Sequence, residues 1–289
     1  MLAEAPAATI DEGTDSTVGA KRIRQVFRDA RESGRAVLIP YIVAGYPDAE
    51  TSLQAALAAI DAGAGLLEIG LPYSDPLADG TTIQRASASA LRSGATFTRS
   101  IELVGRIHAA RPQVPLVPMA YVNQVLGGGD GSDVLQRLAG AGASGLILPD
   151  LTPDEGAPVE LVARAAGLAL IYLVTPTTPA GRRAWLARRT GGFLYAVSLV
   201  GVTGARKALP RDVERFVREV RLESPTPVAV GFGVSRPEHV RRLAGVADRV
   251  VVASALVDAL GPDGRDVAAM SKLVGQLAAA TALDKGSPS

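Results

Sequence analysis

Short apolar, β-branched runs alternate with longer stretches of helical spacing along most of the chain. Eight runs predict strands at residues 37–43, 66–69, 116–119, 145–148, 169–174, 193–197, 228–230 and 249–252. Helices are predicted between them at residues 48–62, 98–110, 132–141, 154–166, 179–189, 210–222 and 236–244, with a last one near 267–283. Asp48, Asp154 and Ser235 stand where helix N-caps are expected, and an additional helix near residues 21–33 precedes the first strand.

This alternation predicts parallel strands joined by right-handed crossovers. Eight units in about 250 residues fit an α/β fold of the TIM-barrel type, (β/α)8, with an additional N-terminal helix. A doubly wound open sheet is the rival, but no G-x-G-x-x-G pattern follows the first strand. We therefore expect one catalytic barrel domain over residues 19–283, flanked by disordered tails at residues 1–18 and 284–289.

Composition narrows the class of protein. The 289 residues carry a net charge of +1 and only 4% aromatic residues, which argues against nucleic acid as a partner. Without cysteine, disulfides and thiol chemistry are excluded, and two histidines without ligand spacing make a metal site or a Ser-His-Asp triad improbable. No apolar run reaches the ~20 residues of a membrane helix, and no secretory signal stands out, so a cytoplasmic enzyme is expected.

The segment after the second strand carries the first candidate chemistry. Glu68 lies between Leu67 and Ile69, so strand alternation directs it into the barrel if those two pack against the helices. Burial there would raise the pKa of the carboxyl and suit proton transfer. A buried ion pair with Arg or Lys is the alternative. Asp75 and Asp79 follow in a loop, where each taken alone is explained more readily as a turn-capping residue than as a catalytic one.

Small residues at the other end of the chain indicate a phosphate site. The run GFGVS at residues 231–235 follows the seventh strand, and ASA at 253–255 follows the eighth. In such barrels these two loops commonly bind phosphate through backbone N–H groups, although small residues also serve tight corners. The longer stretch at residues 200–207 fits either a lid over a phosphorylated ligand or an ordinary loop.

These motifs together resemble the tryptophan synthase α-subunit family. Residues 67–80, LEIGLPYSDPLADG, resemble the family's signature, and the match continues in PYIVAGYPD at 40–48, MAYVN at 119–123, LPDLTP at 148–153, GVTG at 201–204 and GFGV at 231–234. The likeness covers residues 21–283 in the family's order. It implies a TIM-barrel lyase of tryptophan biosynthesis that cleaves indole-3-glycerol phosphate to indole and glyceraldehyde 3-phosphate.

The resemblance also implies roles for individual residues. Glu68 would be the catalytic acid and base, and Asp79 would hold the indole N–H. Substrate-binding residues would be Tyr121, Tyr195 and Phe232, and phosphate-binding residues would be Gly204, Gly233, Val234, Ala253 and Ser254. No metal or organic cofactor is implied. The partner would be a pyridoxal-phosphate β subunit in an α2β2 assembly, reached through Tyr73, Asp75 and residues 151–153.

The sequence departs from the family's usual pattern at Val43, Thr81, Val200 and Ala253, and none of these changes removes a catalytic group. Ala253 adds a methyl group beside the predicted phosphate site. The alternatives are a stand-alone lyase that releases free indole, a non-catalytic subunit that binds a sugar phosphate, and another phosphate-binding barrel such as an isomerase or epimerase. The last does not account for the long motif after the second strand.

Overall fold

A computed structural model describes residues 15–197, 209 and 212–283. In that part of the chain the strands are β1 Val37–Val43, β2 Leu67–Gly70, β3 Leu116–Met119, β4 Gly145–Ile147, β5 Ala169–Ile171, β6 Leu173–Val174, β7 Leu194–Val197, β8 Val228–Gly231 and β9 Arg249–Val252. The helices are α1 Val18–Glu32, α2 Ala49–Asp61, α3 Thr81–Arg92, α4 Phe97–Ala110, α5 Val122–Leu126, α6 Ser132–Gly140, α7 Ala157–Ala165, α8 Ala180–Arg189, α9 Val213–Glu223, α10 Pro237–Ala244, α11 Ser254–Ala259 and α12 Val267–Ala279.

All the strands pair in parallel, in the order β5-β4-β3-β2-β1-β9-β8-β7-β6. The two outer members of that order are halves of the single strand predicted at residues 169–174. They separate at Tyr172, whose N–H donates to Thr190 Oγ1 at 2.9 Å. The Tyr172 carbonyl still accepts from Tyr195 N at 3.0 Å. If β5 and β6 are counted as one strand, eight parallel strands close the barrel. The predicted (β/α)8 fold is therefore confirmed.

Strand alternation divides the apolar residues into two layers. Ile39, Val117, Ile171 and Val251 belong to a buried cluster in the barrel interior. Their strand neighbours, such as Leu38, Leu116, Leu170 and Val250, pack with the helices in a larger outer cluster. This two-sided burial is the reason why the strands are apolar nearly throughout, as expected for parallel strands covered on both faces.

Helix α1 closes the N-terminal end of the barrel. Ala20, Ile23 and Phe27 join the interior cluster, and the ring of Phe27 meets that of Phe193 edge-on at 5.9 Å. The helix begins three residues before the predicted one, because Thr17 caps it by accepting from Ala20 N at 3.1 Å. Residues 15–18, which composition assigned to the tail, thus include the N-cap Thr17 and the first helical residue, Val18. The rest of both predicted tails lies outside the described residues.

Local capping explains where predicted helix boundaries were correct and where they were wrong. Asp48 caps α2, accepting from Thr51 N at 2.8 Å. Asp154 does not cap α7, which begins at Ala157, because its carboxylate pairs with Arg182 at 2.5 Å. Ser235 is not the cap of α10 either, since that helix begins one residue later, after Arg236. None of the helices among the described residues is long and apolar enough to cross a membrane.

Candidate active site

Glu68 lies in the middle of β2 with its side chain directed into the barrel. Its neighbours Leu67 and Ile69 pack in the outer cluster, so alternation turns the carboxyl inward, and the residue is only 2% exposed. Tyr195, which extends from β7 into the interior cluster, donates a hydrogen bond from its hydroxyl to this carboxyl. The predicted alternative, a buried ion pair, is not what this side chain forms: its partner is a tyrosine.

Burial raises the pKa of Glu68 to about 8. The hydrogen bond from Tyr195 opposes this rise by favouring the carboxylate, and the negative charge of nearby Asp79 adds to it. Glu68 is therefore mostly protonated at neutral pH and can both give and regain a proton in that pH range. Burial and the Glu68 charge together raise the pKa of Tyr195, which stays a hydrogen-bond donor.

Asp79 reaches the same region from the loop after β2. Its Oδ2 accepts a hydrogen bond from the hydroxyl of Tyr121 at 3.2 Å, and that hydroxyl accepts from Ala78 N at 3.0 Å. Burial raises the pKa of Asp79 to about 6, against the opposing effect of the Tyr121 hydrogen bond. The two carboxyl groups therefore differ: around pH 7 Asp79 is mostly ionised while Glu68 is mostly protonated.

Side-chain amides from two helices position this loop. Gln84 on α3 donates from Nε2 to the carbonyl of Asp79 at 2.9 Å. Gln124 on α5 donates to the carbonyl of Pro72 at 3.0 Å and accepts from Tyr121 N, also at 3.0 Å. Both ends of the loop are thus fixed to the helices, and the second contact also orients the tyrosine that holds Asp79.

Tyr41 on β1 is a site residue that sequence reasoning did not single out. It is 4% exposed and sits beside Glu68 in the β1–β2 register. Burial raises its pKa, and the negative charges of Asp79 and Glu68 raise it further. A Cβ on Gly70 would collide with that hydroxyl, which explains the glycine. The signal was present in the alternation of β1, which directs Tyr41 inward along with Ile39.

The predicted phosphate-binding residues follow two neighbouring strands. Gly233 and Val234 come after β8, where Gly233 has a φ of +72° that favours glycine. Ala253 directly precedes α11 and Ser254 begins it, just after β9. Since β8 and β9 pair in parallel, these residues meet at the same end of the barrel as Glu68 and Asp79. Gly204 lies outside the described residues.

Phe232 sits differently from the other two predicted substrate-binding residues. Tyr121 and Tyr195 each contact a site carboxyl, whereas the ring of Phe232 packs against Phe216 of α9 at 5.9 Å, within the outer cluster. Sequence position alone did not distinguish these environments.

The predicted partner-facing residues lie in the outer part of the loop after β2. Tyr73 stacks on Tyr121 with ring centroids 5.1 Å apart, and its hydroxyl accepts from Asn123 Nδ2 at 3.2 Å. Asp75 is exposed, and Leu77 is 82% exposed although it is apolar. The surface next to Asp79 therefore carries an exposed apolar side chain, that of Leu77.

Known proteins resemble this chain over nearly its whole length. A family model described as tryptophan synthase alpha chain matches residues 27–282. The tryptophan synthase alpha chain of a Roseiflexus species is 44% identical over 253 residues, which cover 86% of this chain and 95% of that one. That of Gloeobacter violaceus is 44% identical over 258 residues, covering 89% and 91% of the two chains.

Solved structures agree with the sequence relatives. A structure of Mycobacterium tuberculosis tryptophan synthase superposes with a TM-score of 0.84 at 39% identity, covering 91% of this chain and 99% of the matched chain. A tryptophan synthase subunit alpha from Legionella pneumophila gives a TM-score of 0.82 at 31% identity, covering 90% and 98%.

Proposed function

The chain belongs to the tryptophan synthase alpha chain family, and from that premise we propose how its residues divide the work of the reaction. The chain is a lyase that cleaves indole-3-glycerol phosphate to indole and glyceraldehyde 3-phosphate, and it acts together with a β subunit. The observation that carries the residue assignment is the pair of buried carboxyls with separated pKa values, Glu68 at about 8 and Asp79 at about 6.

Glu68 acts first as an acid. In its protonated form it gives a proton to C3 of the indole ring, which turns the ring into an iminium-like cation. The resulting carboxylate then removes the proton of the glycerol hydroxyl next to C3. The carbon–carbon bond breaks, its electrons return to the ring, and the hydroxyl carbon becomes the aldehyde. One proton is given and one is taken, so Glu68 ends as it began.

Asp79 stabilises the charge that develops between these two proton transfers. An ionised carboxylate beside the ring N–H accepts its hydrogen bond and lowers the energy of the cation. Tyr121 fixes the Asp79 carboxylate through the 3.2 Å hydrogen bond, and the two glutamines fix the loop. This arrangement leaves Asp79 mostly ionised at the pH at which Glu68 still holds its proton.

The phosphate of the substrate would bind at the ends of β8 and β9. The first N–H groups of α11 have no carbonyl partner within the helix, so those of Ser254 and the following residue can donate to phosphate oxygens. Gly233 and Val234 from the neighbouring loop, with Gly204, complete the proposed set. Ala253 retains its backbone N–H, so its extra methyl group need not remove a donor.

The partner would be a pyridoxal-phosphate β subunit in an α2β2 assembly, contacted through Tyr73, Asp75 and residues 151–153. Asp150, just before that stretch, accepts from Val122 N at 2.9 Å and so ties the loop after β4 to α5, whose N-cap is Tyr121. This link gives the partner surface a direct connection to the residue that holds Asp79. A cytoplasmic location is proposed from the family's place in amino-acid biosynthesis.

Indole release from indole-3-glycerol phosphate tests the assignment. The purified chain should release indole slowly, the rate should rise on addition of a β subunit, and Glu68→Gln should lower it by about 10²–10⁴-fold. The matched control is Glu102→Gln, which removes an exposed carboxyl on α4 and should leave the rate unchanged. Fast release without a partner would favour a stand-alone lyase. Substrate binding without release under any condition would overturn the catalytic assignment.

A further inference from the structure

A cavity lies at the opposite end of the barrel from Glu68 and Asp79. It has a volume of about 490 Å³ and opens between α1, the start of β9 and the approach to β8. Six arginines line it: Arg24, Arg28, Arg31, Arg35, Arg221 and Arg249. Asp248 is the one acidic residue among the described residues that line it. The volume is in the range that accommodates a small organic molecule.

The carboxylate of Asp248 is already engaged by neighbouring groups. Asp248 Oδ1 lies 3.4 Å from Arg221 Nη2, while Oδ2 accepts from Val228 N at 3.0 Å and lies 3.7 Å from Arg249 Nη1. Its charge is thus shared between two of the six guanidinium groups. The described residues of the lining thus retain a large positive excess, in a protein whose net charge is only +1.

Arg249 is the most unusual member of the group. It extends from β9 under the Phe27 ring and is 1% exposed. Its Nε and Nη1 form no hydrogen bond within the described part of the chain. Burial lowers the pKa of this guanidinium, the Asp248 charge opposes that effect, and the Arg221 charge adds to it. A buried cation with unused donors is costly, and an anion bound beside it would offset that cost.

Helix α1 supplies a row of further cations. Arg24, Arg28 and Arg31 recur at the i, i+4 and i+7 spacing that places residues on one helix face. Arg28 donates to Gln25, but the side chains of Arg24 and Arg31 have neither an ion pair nor a hydrogen bond with any described residue. The acidic residues of this helix, Asp29 and Glu32, do not line the cavity.

We propose that this arginine-lined cavity is a binding site for a small multivalent anion bearing phosphoryl or carboxylate groups. Planar guanidinium groups bind such oxygens through paired hydrogen bonds, and several converging cations favour a ligand with more than one negative charge. The site is separate from the catalytic end, since its walls come from the residues that precede β1, β8 and β9. The proposal stands whether or not the catalytic roles above are correct.

Calorimetric titration with tripolyphosphate, and separately with citrate, tests the site in the full-length chain and tells phosphoryl from carboxylate ligands. Arg24→Gln/Arg31→Gln should weaken binding of the preferred probe at least about tenfold, since two charge-assisted contacts are lost. Arg92→Gln/Lys272→Gln is the matched control: it removes the same charge from exposed positions on α3 and α12 and should bind as the wild type does. Indole release should be equal in all three proteins.

The proposal would be overturned if neither probe bound, or if both double variants bound the probe equally weakly. It would also be overturned if glyceraldehyde 3-phosphate displaced the probe to the same extent from the wild type and both double variants. Binding that appears only after deletion of residues 1–14, which carry Glu4, Asp11 and Glu12, would also overturn it in favour of an intramolecular occupant. Arg249→Met gives a second test: it should abolish binding and leave a folded protein, because an apolar side chain of similar size suits the buried position.

Discussion

The hydroxyl of Tyr195 on β7 donates a hydrogen bond to the carboxyl of Glu68 on β2. If β5 and β6 are counted as one strand, three strands lie between β2 and β7 in either direction around the barrel. The bond therefore crosses the interior. It is the one interaction that holds the pKa of Glu68 down against burial and the Asp79 charge, so it sets the pH at which the proposed acid loses its proton.

Replacing Tyr195 by phenylalanine should move the basic limb of the pH–rate profile upward. Without the hydroxyl, the Glu68 carboxylate loses its hydrogen bond, and its pKa should rise above about 8. Initial rates of indole release from pH 5 to 10 would measure the shift. Tyr172→Phe is the matched control, because Tyr172 donates to a different buried carboxyl, that of Glu160, at 2.5 Å. An unchanged basic limb in Tyr195→Phe, or an equal shift in both variants, would contradict this explanation.

Asp79→Asn should remove the acid limb of the same profile. We expect the wild-type rate to rise as Asp79 ionises near pH 6 and to fall as Glu68 ionises near pH 8. The amide cannot ionise and stabilises the cation poorly, so the rate should fall about 10²–10³-fold. The basic limb should also move to lower pH, since the Asp79 charge helps to raise the pKa of Glu68. Asp75→Asn, in the exposed part of the same loop, should retain both limbs.

The raised pKa of Glu68 should make the protein less stable as pH increases. In the unfolded chain this carboxyl loses its proton near pH 4.5, but in the folded barrel it keeps the proton until about pH 8. The unfolded state thus gains stability relative to the folded state across that interval, and the free energy of unfolding falls. Asp79, raised from 3.8 to about 6, adds a smaller fall at lower pH.

Glu68→Gln should therefore be more stable than the wild type at pH 8, with a flatter dependence on pH. Urea denaturation between pH 4.5 and 8.5 would measure it, with Glu102→Gln as the control that should follow the wild-type curve. Parallel curves for the wild type and Glu68→Gln would mean that Glu68 is not buried as a neutral acid.

Leu77→Asp should weaken the response to the β subunit without altering the chain's own rate. Leu77 is 82% exposed in the loop that carries the proposed partner residues, so a charge there should disfavour an apolar contact. Titration of the β subunit against indole release should need about tenfold more partner. Leu222→Asp is the matched control, since Leu222 is 89% exposed near the C-terminus of α9, outside the loop after β2. Equal activation of both variants would show that Leu77 lies outside the contact.

The barrel and its catalytic end followed from local sequence patterns. Short apolar runs, each followed by a stretch of helical spacing and repeated eight times, predicted the parallel strands. The flanking Leu67 and Ile69 predicted the inward direction of Glu68. These features could be inferred because the two faces of a strand or helix contact different surroundings. The residue types at neighbouring positions in the sequence reflect that difference. Helices α3, α5 and α11 were not predicted; α5 and α11, with five and six residues, are too short to show a helical period.

Which side chains meet was decided only by the tertiary structure. Tyr121 lies 42 residues from Asp79, yet its hydroxyl fixes that carboxylate, and Tyr195 reaches Glu68 across the barrel. Arg249 reads in the sequence as the first residue of an apolar strand, but closure of the barrel buries it beneath Phe27 from α1. Residues remote in sequence are buried together and come within contact distance only once the sheet has closed into a barrel. That burial and those contacts set the pKa values on which the proposed chemistry depends.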